Sequence, residues 1–182
     1  MDIRSVGVYL IMKRIKDFCI DSFSDRLFLQ KVIYLLQLFG IDFRLRYDWY
    51  LRGPYSKELT SLAYEIDSRK NEYLEMTKNA ELRDDVLERI VKLENVLQKR
   101  PQSLDGARWL ELLSSIHYLK HISSSNPASV TSDNIEEILK KAGKSNYNSE
   151  EIESAWEQLN NLGLIGKIRL NKISKRYNPE ND

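Results

Sequence analysis

One change of hydrophobic period constrains this chain more than any other feature. Residues 25–39 place Leu27, Phe28, Val32, Leu35, Leu36 and Phe39 on more than one side of a helix, with Gly40 as a natural stop. A helix of that kind cannot lie on a surface, so it is expected at the centre of the domain, capped by Ser24 or Asp25. Residues 43–50 then alternate. Phe43, Leu45, Tyr47 and Trp49 interleave with Arg44, Arg46, Asp48 and Tyr50, the pattern of a half-buried strand. The turn Arg52-Gly53-Pro54-Tyr55 closes it, since Gly tolerates positive φ and Pro presets φ near its helical value. Ser56 starts a further helix with Leu59, Leu62, Ala63 and Ile66. Leu59 in place of Glu or Gln removes the reciprocal capping box, while Glu58 still favours the helix N-terminus.

Helical periodicity governs most of the remainder. Residues 3–18 carry Ile3, Val6, Leu10, Ile11 and Ile15 at helical spacing. Leu82, Val86, Ile90, Leu93 and Leu97 form a clear stripe that Arg100-Pro101 ends. A helix over about 104–122 sets Trp109, Leu112, Leu113, Ile116 and Leu119 on one side. Two shorter helices are expected at 133–142 and 149–162, with Gly143 and Gly163 where C-terminal caps belong. Residues 71–77 read as a short strand or a loop, and the Ser-, Asn- and Pro-rich run 123–132 as a linker. The fold class is therefore mainly α, an α-rich α+β chain with one small β element. Its parts are residues 1–70, a helical middle 71–122 that packs on them, and a C-terminal helical pair with a basic tail, 123–182, together one unit. Leu29, Val32, Leu36, Leu59, Leu62 and Ile66 are expected to share its core.

Composition excludes several classes. Lys and Arg number 28 against 27 Asp and Glu, a net charge of +1, which argues against a bulk nucleic-acid binder. The apolar run at residues 6–12 is too short for an export signal and lacks a cleavage site, and no stretch is long enough to span a bilayer, so a cytoplasmic location is expected. The single cysteine, Cys19, cannot form an internal disulfide and reads as a packing thiol. His117 and His121 stand at i, i+4, a chelating spacing, but Tyr118-Leu119-Lys120 between them lacks the Glu of a zinc-protease motif; they are expected to be surface or boundary residues. Gly163 and Gly166 are too closely spaced before Lys167 for a phosphate loop, and they follow a helix end. The pairs Asp84-Asp85 and Glu150-Glu151 sit near helix starts, where the dipole favours them. Neither a catalytic set nor a cofactor or metal site is expected.

The run Leu29-Gln30-Lys31, then Tyr34-Leu35-Leu36, then Trp49-Tyr50, Gly53-Pro54-Tyr55-Ser56 and Glu58-Leu59 is distinctive. It resembles the signature of the YwgA-type family of prokaryotic proteins and, more distantly, the Panacea/SocA-like antitoxin domain. The close likeness covers about residues 27–66; Trp109-Leu110-Glu111 and Ala155-Trp156-Glu157-Gln158-Leu159 fit the YwgA-type pattern with looser motifs. The resemblance implies a winged-helix-like N-terminal part and, from the antitoxin side, neutralisation of a toxin through protein contact. It brings no catalytic residues.

Two surfaces are candidates for partners. Trp49, Tyr50 and Tyr55 surround the Gly-Pro turn beside Arg44, Arg46 and Arg52, and Tyr, Trp and Arg are the side chains enriched at interface hot spots. From Lys167 to Arg176 there are five basic residues, Lys167, Arg169, Lys172, Lys175 and Arg176, and no acid, suited to phosphate contacts. The helix before that tail carries Glu150, Glu151, Glu153 and Glu157, which would repel a DNA backbone. The leading expectation is a non-enzymatic protein-binding regulatory module of antitoxin or adaptor type, with a winged-helix regulator of duplex DNA as the alternative.

Overall fold

The computed structural model describes residues 2–166; the basic cluster from Lys167 to Arg176 lies outside them. Among the described residues, eight α-helices and one two-stranded antiparallel sheet follow in the order α1 (Ile3–Ile15), α2 (Phe23–Leu38), β1 (Asp48–Tyr50), β2 (Gly53–Tyr55), α3 (Lys57–Ser68), α4 (Lys70–Met76), α5 (Asp84–Gln98), α6 (Gly106–Tyr118), α7 (Ile135–Lys141) and α8 (Ser149–Asn161). The chain is thus mainly helical with a small β element. One core runs from Val8 of α1 to Leu159 of α8, and the six residues expected to share it all belong to it.

α2 is the axis of the molecule. Val32, Ile33 and Leu36 are wholly buried, and the helix packs most extensively on α6. Its cap is Ser22 rather than Ser24 or Asp25. The Ser22 hydroxyl accepts from Asp25 N–H while the Asp25 carboxylate accepts from Ser22 N–H, so Asp25 is the reciprocal member of a capping box. Phe23 consequently opens the helix. At the other end Gly40 takes φ +99° and Ile41 N–H returns to Leu36 O, closing the helix with a left-handed residue as its position suggested.

The expected strand over 43–50 is mostly not a strand. Phe43 and Leu45 are buried and Asp42, Arg44 and Arg46 exposed, so the alternation is real, but no backbone ladder accompanies it before Asp48. Arg44 has φ +55°, which interrupts extended geometry, and the Gln37 carboxamide pairs with both backbone groups of Leu45 (3.0 and 3.2 Å) in place of a neighbouring strand. The reversal also shifts. Gly53, Pro54 and Tyr55 are not a turn but the second strand, in register Asp48↔Tyr55, Trp49↔Pro54 and Tyr50↔Gly53, and Leu51-Arg52 forms the loop. Ser56 caps α3 as expected, accepting from Leu59 N–H.

Three other expectations need correction. Residues 70–76 are helical because Tyr73, fully buried, lies against Tyr9 with its hydroxyl 2.6 Å from Ser5 Oγ; tertiary anchoring decides an ambiguous local pattern. α1 turns Ser5, Val8, Tyr9, Ile11 and Met12 inward and leaves Ile3 exposed, so its buried face is rotated from the apolar stripe read in the sequence. The run 123–132 is mostly exposed, as a linker would be, but it is anchored rather than free. After α6 a π-helical turn, Leu119–Ser123, carries Lys120 to the carbonyls of Pro127 and Val130, and Val130 is buried. Gly143 and Gly163 adopt φ +80° and +73° just past α7 and α8, as C-terminal caps do. No helix among the described residues is long and apolar enough to cross a membrane.

Candidate functional site

The site begins with polar residues on the buried side of α2. Gln30, Lys31, Tyr34 and Gln37 are buried on a helix whose other buried residues, Leu29, Val32, Ile33, Leu35 and Leu36, are apolar, and a buried polar group must find partners. Gln30 accepts from Ser56 N–H and donates to Ser56 O, each at 2.9 Å, and also donates to Thr60 Oγ1. Lys31 Nζ donates to Pro54 O. With Gln37 on Leu45, α2 therefore holds the segment from Leu45 to Ser56 through side chains.

Beneath the hairpin lies a buried charge cluster. Lys31 and Lys144 are 1% exposed and Glu111 of α6 is 0% exposed. Lys144 Nζ is paired with Glu111 Oε1, and Arg52 Nη1 stands 3.8 Å from Glu111 Oε2. Glu111 Oε2 and Ser115 Oγ make no hydrogen bond to the described residues. Burial pushes the Lys31 ammonium down to about 7; Glu111 opposes that shift and Lys144 adds to it. Burial also lowers Lys144, against the pull of Glu111. Gly53 fits over this cluster with φ +78°. A Cβ there would stand 2.4 Å from Ser115 Oγ and 3.7 Å from Lys31 Nζ, so the approach of the hairpin requires glycine.

Beside the hairpin a groove of about 320 Å³ opens between the start of α2 and the outer side of α3. Phe23, Leu27, Tyr55 and Tyr64 supply walls, and Tyr50 and Leu51 descend from the hairpin. Four large apolar side chains along it remain in solvent: Phe23 is 57% exposed, Tyr50 44%, Leu51 80% and Tyr64 55%. Arg26, Lys31 and Arg52 also line it, and no Asp or Glu does. The Tyr50 and Tyr55 rings lie 5.0 Å apart, the Thr60 hydroxyl donates to the Tyr55 hydroxyl at 2.7 Å, and the Arg52 guanidinium sits 5.8 Å from the Phe23 ring centre.

The structure divides the six residues singled out around the turn. Tyr50, Tyr55 and Arg52 come together in the groove. Trp49 faces the other way, half-buried against Tyr118 at 5.7 Å with Lys144 Nζ 5.8 Å from its ring. Arg44 and Arg46 are exposed on the preceding segment and do not line the groove. Sequence reasoning missed Phe23, Leu51 and Tyr64, and it noted Arg26 and Lys31 only as members of a basic run between residues 26 and 57, without placing them beside the turn. For Lys31 there was a further signal, the polar pair Gln30-Lys31 within the apolar run Leu27–Leu36.

Of the two histidines one differs from expectation, His117; His121 is half-buried at a boundary. His117 is fully buried, not a surface residue; its Nδ1 lies 2.8 Å from the Tyr34 hydroxyl, and burial, with a contribution from His121, pushes it down to about 3. His121 Nε2 is 2.9 Å from Leu164 O. The described residues contain no group of three or more His, Cys, Asp or Glu able to hold a metal ion. Cys19 is half-buried, with Sγ 3.5 Å from Asp25 Oδ2. Comparison with protein-family models, curated proteins and solved structures returns no match.

Proposed function

We propose that this chain is a non-enzymatic, protein-binding regulatory module of antitoxin or adaptor type, working in the cytoplasm and docking its partner in the groove between α2, α3 and the hairpin. One observation carries the reading: Phe23, Tyr50, Leu51 and Tyr64 stand exposed together along one concavity. Single exposed apolar side chains are ordinary; a cluster around a concavity marks an interaction site. Tyr beside Arg is a hot-spot combination, supplied here by Tyr50, Tyr55, Arg26 and Arg52. Phe23, Leu51 and Tyr64 keep more than half of their surface in solvent, apolar area that a protein partner would cover. Duplex DNA has less support. The helix before the hairpin buries every residue from Leu29 to Gln37, and α8 carries Glu150, Glu153 and Glu157 exposed.

Photo-crosslinking in native-host cells tests the reading, with the reactive residue at Leu51, Tyr64 or, as a control on another face, Glu153. The expected result is a polypeptide adduct from Leu51 and Tyr64 only, resistant to nuclease and lost when Tyr50→Ala is added. Equal labelling from Glu153, or adducts that nuclease removes, would overturn it.

A further inference from the structure

We infer that the segment seated in this groove is acidic: a short stretch of a partner protein in which one large apolar side chain is flanked by Asp or Glu. The inference rests on reading the groove as a protein-docking site and adds the chemistry of the occupant.

Charge carries the argument. Two permanent cations, Arg26 and Arg52, line the groove together with the buried Lys31, which is partly charged near pH 7, and no carboxylate does. The Arg26 guanidinium is held by two backbone carbonyls, Ile20 O at 2.7 Å and Asp21 O at 2.8 Å, which orient it without neutralising it. The carboxylate nearest Arg52 is Glu111, at 3.8 Å and already paired with Lys144. Beneath the groove, the buried Lys31 and Lys144 and the half-exposed Arg52 therefore surround a single carboxylate. Where water is excluded, such a surplus acts at close range with little screening. A neutral occupant would leave it unanswered, and a basic one would be repelled.

The walls decide what bears the negative charge. Ile20, Leu27, Leu29, Leu51 and Ala63 are aliphatic and accept an aliphatic or aromatic anchor. A nucleic-acid strand carries one charge per nucleotide and needs cations spaced along a track with aromatic platforms between them. Here the cations are gathered in one pocket. Carboxylates one or two residues from an apolar anchor match that layout.

The test pans a random twelve-residue peptide display library against the full chain, then measures selected peptides on the parent protein, on Arg26→Glu, on Arg52→Glu and on Tyr64→Asp, each first shown to melt cooperatively. Selected peptides are expected to share a Leu, Phe or Trp flanked by Asp or Glu. They should lose roughly tenfold or more in affinity on either Arg→Glu variant, weaken with salt, and regain affinity for Arg52→Glu when their acids are changed to Lys. Arg52→Glu alone decides the matter if Arg26→Glu disturbs the turn that its guanidinium holds. Peptides without acids that still depend on Tyr64 would overturn the inference while leaving a protein-docking groove. Two results would overturn both readings: peptides indifferent to Tyr64→Asp, or a single-stranded oligonucleotide that displaces the selected peptides. Concentration-dependent self-association abolished by Tyr64→Asp would identify a second copy of the chain as occupant and overturn the inference as well.

Discussion

Lys31 shows how far one residue's environment can depart from its type. Its ammonium titrates near 7 in the folded protein and near 10.5 in an unfolded chain. Between those values the unfolded state holds a proton that the folded state lacks, so this group makes stability rise with pH. Lys144, displaced in the same direction, adds to the rise, and Glu111 and Arg52 are the other charges facing the pair. Unfolding free energies from urea titrations between about pH 7 and pH 9.5, below the ordinary tyrosine range, should climb by on the order of 2–3 kcal/mol for Lys31, and Lys31→Met should flatten that climb. His117 acts at the other end. Its folded value of about 3 lies below the unfolded 6.5, so its contribution is complete above 6.5 and is lost as pH falls toward 3. His117→Gln should reduce the loss measured between about pH 6.5 and 5, above the range where ordinary carboxylates titrate. Gly53 permits a sharper experiment. Gly53→Ala combines a left-handed backbone with a Cβ 2.4 Å from Ser115 Oγ, and should cost about 2–4 kcal/mol in chemical denaturation. Ser115→Gly in the same chain should recover part of that cost by removing the clash while the backbone strain persists.

Among elements, what could be read in the sequence depended on the range of the interactions that form them. α2, α5, α6 and α8 declare themselves through apolar spacing, since burial against one core imposes the helical period. α4 does not, because its cause is Tyr73 reaching Ser5 across 68 residues of chain. The segment 41–47 misleads for a related reason. Its alternation records burial correctly, but the partner satisfying Leu45 is the side chain of Gln37, which mimics a strand. Two substitutions in α2 separate packing from hydrogen bonding. Leu36→Ala should cost on the order of 2–5 kcal/mol, as truncation of a fully buried leucine does. Gln30→Leu keeps volume but strands Ser56 N–H, while Ser56 O keeps Thr60 N–H, and should cost about 1–3 kcal/mol. Hydrogen exchange should then accelerate at Ser56 in Gln30→Leu more than in Leu36→Ala, at equal global stability.

At the scale of the whole molecule, the candidate site was half visible beforehand. Tyr50, Tyr55 and Arg52 stand out around the Gly-Pro pair, whereas Phe23 and Tyr64 belong to separate helices and meet only once α2 and α3 pack against the hairpin. The Glu111–Lys144 pair joins α6 to the residues after α7 beneath that hairpin, tying the C-terminal pair to the N-terminal part. Lys144→Met leaves Glu111 buried without its closest partner and should destabilise by roughly 3–5 kcal/mol. Joining it to Glu111→Leu should cost less than the sum of the two single changes, as equilibrium unfolding of all four proteins would show.

The outer margin of the second strand has a consequence for how any visitor is recognised. Pro54 offers no N–H there, its carbonyl is engaged by Lys31, and both backbone groups of Ser56 are taken by Gln30. A passing chain finds no main-chain rungs along that stretch on which to extend the sheet, so neither β-augmentation nor edge-to-edge polymerisation is templated from it. Selectivity then falls to shape and charge at side-chain level. Unrelated partners could satisfy the same surface with helical, extended or irregular backbones, and their common feature would be visible in composition long before it was visible in alignment.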